Sequence, residues 1–598
     1  MKKFTFLRLA VVALLVASVA SAQTDVDKKL KGFDAYMDKI LKDWNTPGVG
    51  VGIVVDGKLV FAKGYGYRDY AKKLPVTSKT LFPIASNTKL FTTVAAGMLV
   101  DQGKLEWDKP IRESVPTIKF YNSELDNSVT LRDMLAHRTG ISRHDLLWFK
   151  SKFNRQELFD RLKFLEPSQP LRQGFLYNNL MYAAVGQIIE MKSGLTWEDF
   201  TRKNIFAPLD MNSTVFSASD MMKQSDYGVP FNENRDSNAL EQIPFYSDTD
   251  GVGPCGSIIS NIDDLSHWLA ALMNEGKYNG NQVLPAKVLA QTLQPSIPES
   301  NASNLAKGYT EIQNPMYGMG RDILVYRGQQ VTWHGGALPG FYSQIAYLPE
   351  KKIGVIMFAI GSQSVPLTRV IPFNVLERML GMTQTDWSGR YLKDRLAGKK
   401  AGTEGRSKAG QAKIPDTKPS HKFEDYLGNY ENEAYGTISI TQVGTGYQLT
   451  RDNISLPLNH YHYDRFDSTD DPEDGLWSCN FRTDPQGEIS GFDMVIDENT
   501  QTFTKKADAS LKDPKILALY TGKYTLPNGV ILEVATKGDG LSVLFPGAPA
   551  MQLIPKKERV FSLKEYPDTT VEFNVENNVV TGMTQKDPSG EYKVKKVL

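Results

Sequence analysis

The chain predicts an α/β domain followed by two small all-β modules, and three observations lead there. Over residues 30–385 a hairpin pattern stands at each end with helical patterns between. Residues 396–420 are rich in Gly, Lys, Ser and Pro and lack apolar periodicity. Beyond them short strand patterns echo one another. At 598 residues the chain exceeds what one hydrophobic core organises, so several domains are expected.

The opening hairpin is VGVGIVVDGKLVFAKGYGY, Val49 to Tyr67, in which Asp56-Gly57 joins two β-rich runs. The closing hairpin, YSQIAYLPEKKIGVIMFAIG, spans Tyr342 to Gly361 and turns at Pro349 to Lys352. Between them, 88–102, 130–137, 179–192 and 262–275 read as helices. Two terminal hairpins around a helical middle describe a single sheet completed by both ends of its domain, placed at 23–395. A linker is expected at 396–420. Two β modules follow, at 421–510 and 511–598, each a small barrel or curled sheet. YLGNYENEAYGTISI from Tyr426 is echoed by YTGKYTLPNGVILEV from Tyr520, and FRTDPQGEISGF from Phe481 by FNVENNVVTGM from Phe573.

A formal net charge of +1, from 69 basic and 68 acidic residues, supplies no field that would favour nucleic acid or an acidic membrane. The N-terminal MKKFTFLRLAVVALLVASVASAQ pairs early basic residues with an apolar run and small residues at Ala20 and Ala22. This is the layout of a signal peptide cleaved after Ala22, and the run is shorter than the roughly 20 residues that span a bilayer. A secreted or periplasmic protein is expected, with no transmembrane segment in the mature chain. Two cysteines, Cys255 and Cys479, exclude a disulfide framework but leave one interdomain bridge open. No HExxH occurs; His460 and His462 share a strand face without further ligands at metal-site spacing, so no metal is expected.

Chemistry gathers at three places. In LFPIASNTKLFTTVAAGMLVDQGKL, a helix beginning near Ser86 runs to about Gln102 and stops at Gly103. Its first turn sets Ser86 and Lys89 on one side, where helix amides favour a developing negative charge. A buried lysine loses its proton readily and can act as base. In FLYNNLMYAAVGQIIEMKSGLTW, Tyr177 beside an ammonium can have its pKa lowered and exchange protons with the serine, and the Asn179 amide can hold a substrate carbonyl. In VTWHGGALPGFYSQIAYLP, His334, Gly335 and Gly336 open a strand to close approach, and the Ala337 amide can donate to an oxyanion. Each stretch alone also fits an ordinary helix cap, core aromatic or strand entry. His137, Arg138, His144 and His267 are read as structural. No Gly-x-Ser-x-Gly elbow is present, which speaks against an α/β-hydrolase.

Together the three stretches resemble the serine β-lactamase-like hydrolases, a family that includes class C β-lactamases, DD-peptidases, D-aminopeptidases and related esterases. SNTK matches its Ser-x-x-Lys motif, YNN its Tyr-x-Asn motif and HGG its third motif, in the family's order. GYGYRD, GKLEWDKPI, TLRDMLAHRTGI, IFAPLDMNST and GPCGSIISNIDDLSHWL support the match over residues 30–385. The resemblance implies a β-lactamase/transpeptidase-like fold, an antiparallel sheet flanked by helices with a helical region. It implies Ser86 as the acylated nucleophile, Lys89 and Tyr177 as proton-transfer partners, and Asn179, His334 and Gly336 as substrate-binding. The backbone amides of Ser86 and Ala337 would form the oxyanion hole, with no metal or organic cofactor. Asn178 replaces the common middle serine or alanine, and its role stays open.

The third motif carries the main departure. Class C β-lactamases carry Lys-Thr-Gly there; His334 is mostly neutral at pH 7 and Gly335 has no hydroxyl. Efficient β-lactam hydrolysis is therefore not the expected main activity. Cleavage of amides in peptides containing D-amino acids is expected, with a carboxylesterase, a β-lactamase and a non-enzymatic binding protein as alternatives. The C-terminal modules resemble the lipocalin-like β domains appended to some of these hydrolases.

Overall fold

The computed structural model describes residues 25–246, 251–408 and 412–597, apart from 486, 497, 498, 508 and 539. The expected signal segment, 1–22, lies outside the described residues. Two compact units divide the chain mainly at Lys408 and Ala409.

The first unit is built on a nine-stranded sheet. Its strands in chain order are β1 (Gly48–Val55), β2 (Lys58–Asp69), β3 (Leu74–Pro75), β4 (Ile297–Pro298), β5 (Ile312–Tyr317), β6 (Asp322–Tyr326), β7 (Gln329–Leu338), β8 (Phe341–Leu348) and β9 (Ile353–Ile360). They lie in the order β4-β5-β6-β7-β8-β9-β1-β2-β3, so the closing hairpin pairs with the opening one through β9 and β1. All pairings are antiparallel. The helices that matter here are α1 (Phe33–Asp43), α2 (Thr88–Asp101), α3 (Leu131–Leu135), α4 (Asn179–Ser193), α5 (Ile262–Met273), α6 (Leu367–Met379) and α7 (Trp387–Ser407).

The run GVGVGIVV of β1 shows why the layers form. Val49, Val51 and Ile53 enter a core shared with Phe33, Met37 and Ile40 of α1 and Val370, Ile371 and Phe373 of α6. The alternate positions are glycines, as the two-residue period of a strand allows. A Cβ on Gly52 would stand 2.5 Å from Ile262 Cγ2, so the missing side chain is the space α5 occupies on the other face. The hairpin turn is as expected, with Asp56 at φ 48° and Gly57 at φ 76°.

Residues 396–407 correct the expected linker, because α7 continues through them to Ser407. Glycines at 398, 402 and 405 obscured the helix in the sequence. Acidic partners earlier in the chain hold it: Arg395 and Lys399 pair with the buried Glu233 at 2.6 and 2.8 Å, and Arg406 with Asp236 at 3.2 Å.

The second unit holds two closed barrels, each of eight antiparallel strands. The first runs from Gly428–Asn432 to Asn499–Lys506 and the second from Gly522–Thr525 to Gly590–Lys596; in each, the first and last strands pair. The sequence echo is a structural repeat. The Tyr430 hydroxyl donates to Tyr426 O and that of Tyr524 to Tyr520 O, both at 2.7 Å. The adjacent Gly428 and Gly522 have φ 136° and 134°. In each barrel a lysine of the last strand, Lys505 or Lys596, donates to the carbonyl just before the first tyrosine of the pair, Asp425 O or Leu519 O. Phe481 and Phe573 both lie on the sixth strand.

Cys255, in the first unit, and Cys479, in the second, are free, buried thiols. A register shift separates His460 from His462; His460 donates to Tyr463 O and His462 accepts from the Ile414 amide. Among the described residues no cluster of His, Cys, Asp and Glu has the makings of a metal site, and no helix is long and apolar enough to cross a membrane.

Candidate active site

Ser86 sits on a single 3₁₀ turn, Ala85–Asn87, that leads into α2. Ala85 has φ 47°, a costly conformation for a residue with a Cβ, so the turn must be held from outside. Ile84 N donates to Ile258 O, Asn87 Nδ2 donates to Ser343 Oγ at 2.9 Å, and Ser343 Oγ donates to Ile84 O at 2.7 Å. From Leu81 to Leu99, Ser86 alone is not buried. The fold thus presents one hydroxyl at the head of an otherwise enclosed helix.

The Lys89 ammonium is fully enclosed and has three neighbours: Ser86 Oγ at 3.1 Å, Asn179 Oδ1 at 2.8 Å and Cys255 O at 3.0 Å. The rings of Tyr177 and Tyr182 stand 4.7 and 5.3 Å from it. Burial lowers its pKa to about 8, the main cause being desolvation of the charged form. Two of its neighbours, an amide oxygen and a peptide carbonyl, can only accept hydrogen bonds. A neutral amine has two N–H bonds; spent on those acceptors, they leave its lone pair toward Ser86 Oγ.

Tyr177 departs from the expected lowered pKa. Desolvation pushes its phenol up, far beyond what its hydrogen bond with Ser86 offsets. Burial thus makes the lysine easier to deprotonate and keeps the phenol protonated.

The segment carrying Tyr177 and Asn179 rests on TLRDMLAHRTGI. Thr130 and Asp133 cap α3 reciprocally, and Arg138 and Arg172 both pair with the fully buried Asp133. His137 Nδ1 accepts from the Asn178 amide at 3.0 Å, and its ring packs 4.3 Å from that of Tyr177. Asn178 now has a role: its side chain caps α4 by accepting from Met181 N and donates to Ile141 O and Ser142 O. Asn179 Nδ2 donates to Asp145 Oδ1 at 3.2 Å, and Arg143 pairs with Asp145 at 2.6 Å while lying 5.0 Å from the Tyr177 ring.

His334 is arranged differently from a substrate-facing side chain. Its Nδ1 donates to Gly335 O at 2.7 Å, which leaves Nε2 to accept from the Tyr317 hydroxyl at 3.0 Å. Burial, with the nearby Lys89 charge adding to it, lowers its pKa to about 3, so the imidazole is neutral. Both nitrogens of His334 are engaged within the protein. Gly336 is explained by packing: a Cβ there would stand 2.1 Å from Ile84 O and 2.4 Å from Ser343 Oγ. Only glycine lets β7 lie against the turn before Ser86, which brings the exposed Ala337 alongside it.

A small recess, with about 30 Å³ of free space, adjoins these elements, lined by Pro83, Phe216, Ser217, Met221, Phe245, Leu338 and Phe341 among others. Pro83 precedes Ser86 by three residues and Leu338 follows Ala337, so the recess adjoins the segments that lead to both.

The family model described as Beta-lactamase matches residues 33–378. The chain belongs to the β-lactamase family. It is a serine hydrolase of that family, and a second family model, a domain of unknown function (DUF3471), matches twice, at 412–505 and 506–596. Those two matches coincide with the two barrels. An unguisins hydrolase of Aspergillus campestris is 26% identical over 71% of this chain and 79% of its own length. Protein flp of Staphylococcus aureus is 25% identical over 56% of this chain and 64% of its own. Among solved structures, the octameric penicillin-binding protein homologue of Pyrococcus abyssi shares the fold, with TM-score 0.53 and 21% identity over 79% of this chain and all of that one.

The sequence motifs thus lie on converging elements of this family fold. Missed were the Cys255 carbonyl, Tyr317 and the Arg143–Asp145 pair. A backbone carbonyl leaves no mark in a sequence. Tyr317 and Asp145 act through residues far away in the chain.

Proposed function

We propose that the protein is a secreted serine hydrolase that forms an acyl-enzyme on Ser86 and cleaves amide bonds in peptides containing D-amino acids. The observation that carries the reading is the Lys89 environment, in which two pure acceptors orient the neutral amine toward Ser86 Oγ. Lys89 takes the Ser86 proton as Oγ attacks the carbonyl carbon. The oxyanion is met by the Ser86 and Ala337 amides. Tyr177, kept protonated by its surroundings, passes a proton to the departing amine and regains one from Lys89. Water, deprotonated by the same lysine, then attacks the acyl carbon, the bond to Ser86 Oγ breaks, and the lysine returns the proton to that oxygen.

Substrate class is supported by three features. The hydrolases that share these motifs include peptidases of D-amino-acid substrates, and a relative bears the name of a hydrolase. The recess near Ser86, lined mainly by apolar side chains, suits a small hydrocarbon group next to the scissile bond. A neutral His334, engaged on both nitrogens, offers no cation to a β-lactam carboxylate.

Wild type and Ser86→Ala assayed against D-amino-acid peptides, short acyl esters and β-lactams test the reading. Turnover of the peptides with apolar side chains, lost in the variant by about 10⁴-fold or more, is the expected result. Rapid cephalosporin turnover, or labelling by a fluorophosphonate that survives the substitution, would overturn it.

A further inference from the structure

Behind His334, between α2, α5 and the sheet, lies a small cavity lined by Asn87, Leu90, Trp268, Arg321, Thr332 and His334 together with neighbouring aromatic and aliphatic side chains. Arg321 is 2% exposed. Its Nη1 donates to the Tyr347 hydroxyl, but Nε and Nη2 have no partner in the protein, and neither has the hydroxyl of the fully buried Thr332. Among the described residues no carboxylate pairs with this guanidinium. Its chain neighbour Asp322 does not serve, because burial and the adjoining Glu299, with which it shares a hydrogen bond, hold the Asp322 carboxyl well above the usual range. A guanidinium enclosed without a counter-charge is among the costliest arrangements a protein interior can contain.

We propose that this cavity is a binding site for a small inorganic anion of halide size. Every unpartnered group facing it is able to donate: Nε and Nη2 of Arg321 and the Thr332 hydroxyl. An anion satisfies all of them and neutralises the guanidinium, whereas water would meet the hydrogen bonds and leave the charge. The free space is that of one water-sized particle, too small for a peptide or an acyl chain. Leu90, Trp268, Leu272, Trp333 and Ile345 make most of the remaining lining apolar, which lowers the local dielectric and strengthens the attraction. Thr332 and His334 lie on the same strand, β7, so the ion would brace the strand that lies against the Ser86 turn. The site is independent of the proposed substrate.

Bromide stands in for the unknown ion. Crystals of the full chain soaked in sodium bromide are expected to show an anomalous peak within about 3.5 Å of Arg321 Nε and Nη2. Melting followed at constant ionic strength, with chloride exchanged for gluconate, is expected to show saturable stabilisation by chloride of about 4 °C or more. Arg321→Gln should abolish both effects. The wild-type measurements decide the matter even if that variant does not fold. Density for water alone beside Arg321, with no anomalous signal and equal melting in both salts, would overturn the proposal.

Discussion

Lys89 and Lys505 are both lysines whose pKa is lowered by burial, one in the hydrolase unit and one in the first barrel. Around Lys89 stand a hydroxyl and two acceptors that fix where its lone pair points. Lys505 donates to Asp425 O and lies 5.9 Å from the Tyr430 ring, and among the described residues no serine hydroxyl is hydrogen-bonded to it. Its counterpart Lys596 repeats the arrangement in the second barrel. Desolvation makes a lysine easier to deprotonate; only the arrangement of acceptors makes it a base for something. The barrels use the same residue type to close a strand end.

Substitutions can break this comparison. Lys89→Met is expected to slow Ser86 labelling by about 10³-fold, the scale of a lost general base, whereas Lys505→Met should leave it within about twofold; stopped-flow labelling with a fluorophosphonate measures both. Asn179→Asp places a carboxylate on the Lys89 ammonium and favours its charged form. The pH at which labelling reaches half its maximum should rise by about one unit or more. Tyr177→Phe removes the proton donor and should slow amide turnover by about 10²-fold, yet the rise of labelling with pH should persist, because the titrating base is Lys89. In the barrels, Gly428→Ala and Gly522→Ala each force a side chain into φ near 135°, with the new Cβ 3.2 or 3.0 Å from a lysine Cε. A loss of about 1–3 kcal/mol of barrel stability is expected, read by hydrogen exchange, with no change in Ser86 labelling.

Much of this was readable in the sequence because local chemistry and fold agree there. The Asp56-Gly57 turn, the Gly103 helix stop and the paired tyrosines of the barrels are short-range signals that nothing overrides. The helix through 396–407 was hidden because its support comes from Glu233 and Asp236, distant acids that no local pattern reveals. The same holds at the site. Ser86, Lys89, Tyr177 and Asn179 stood out as motif residues, but the direction of the Tyr177 shift depends on how much protein encloses the phenol. His334 looked available to a ligand until Tyr317 and Gly335 O took its two nitrogens.

In the proposed mechanism a neutral Lys89 serves as the base for Ser86. Its pKa, lowered from 10.5 to about 8, leaves about a tenth of the molecules with the free amine at pH 7 and most of them above pH 9. Activity should therefore increase as pH rises through that value. His334, held near 3, and His137, held well below its ordinary value, should add no step near neutrality. The decisive measurement is the rate of wild-type Ser86 labelling across pH. A single rise with an apparent pKa of about 8, followed by a plateau, is the result predicted. A rate that does not change over that range, or a rise centred near the ordinary lysine value, would contradict it.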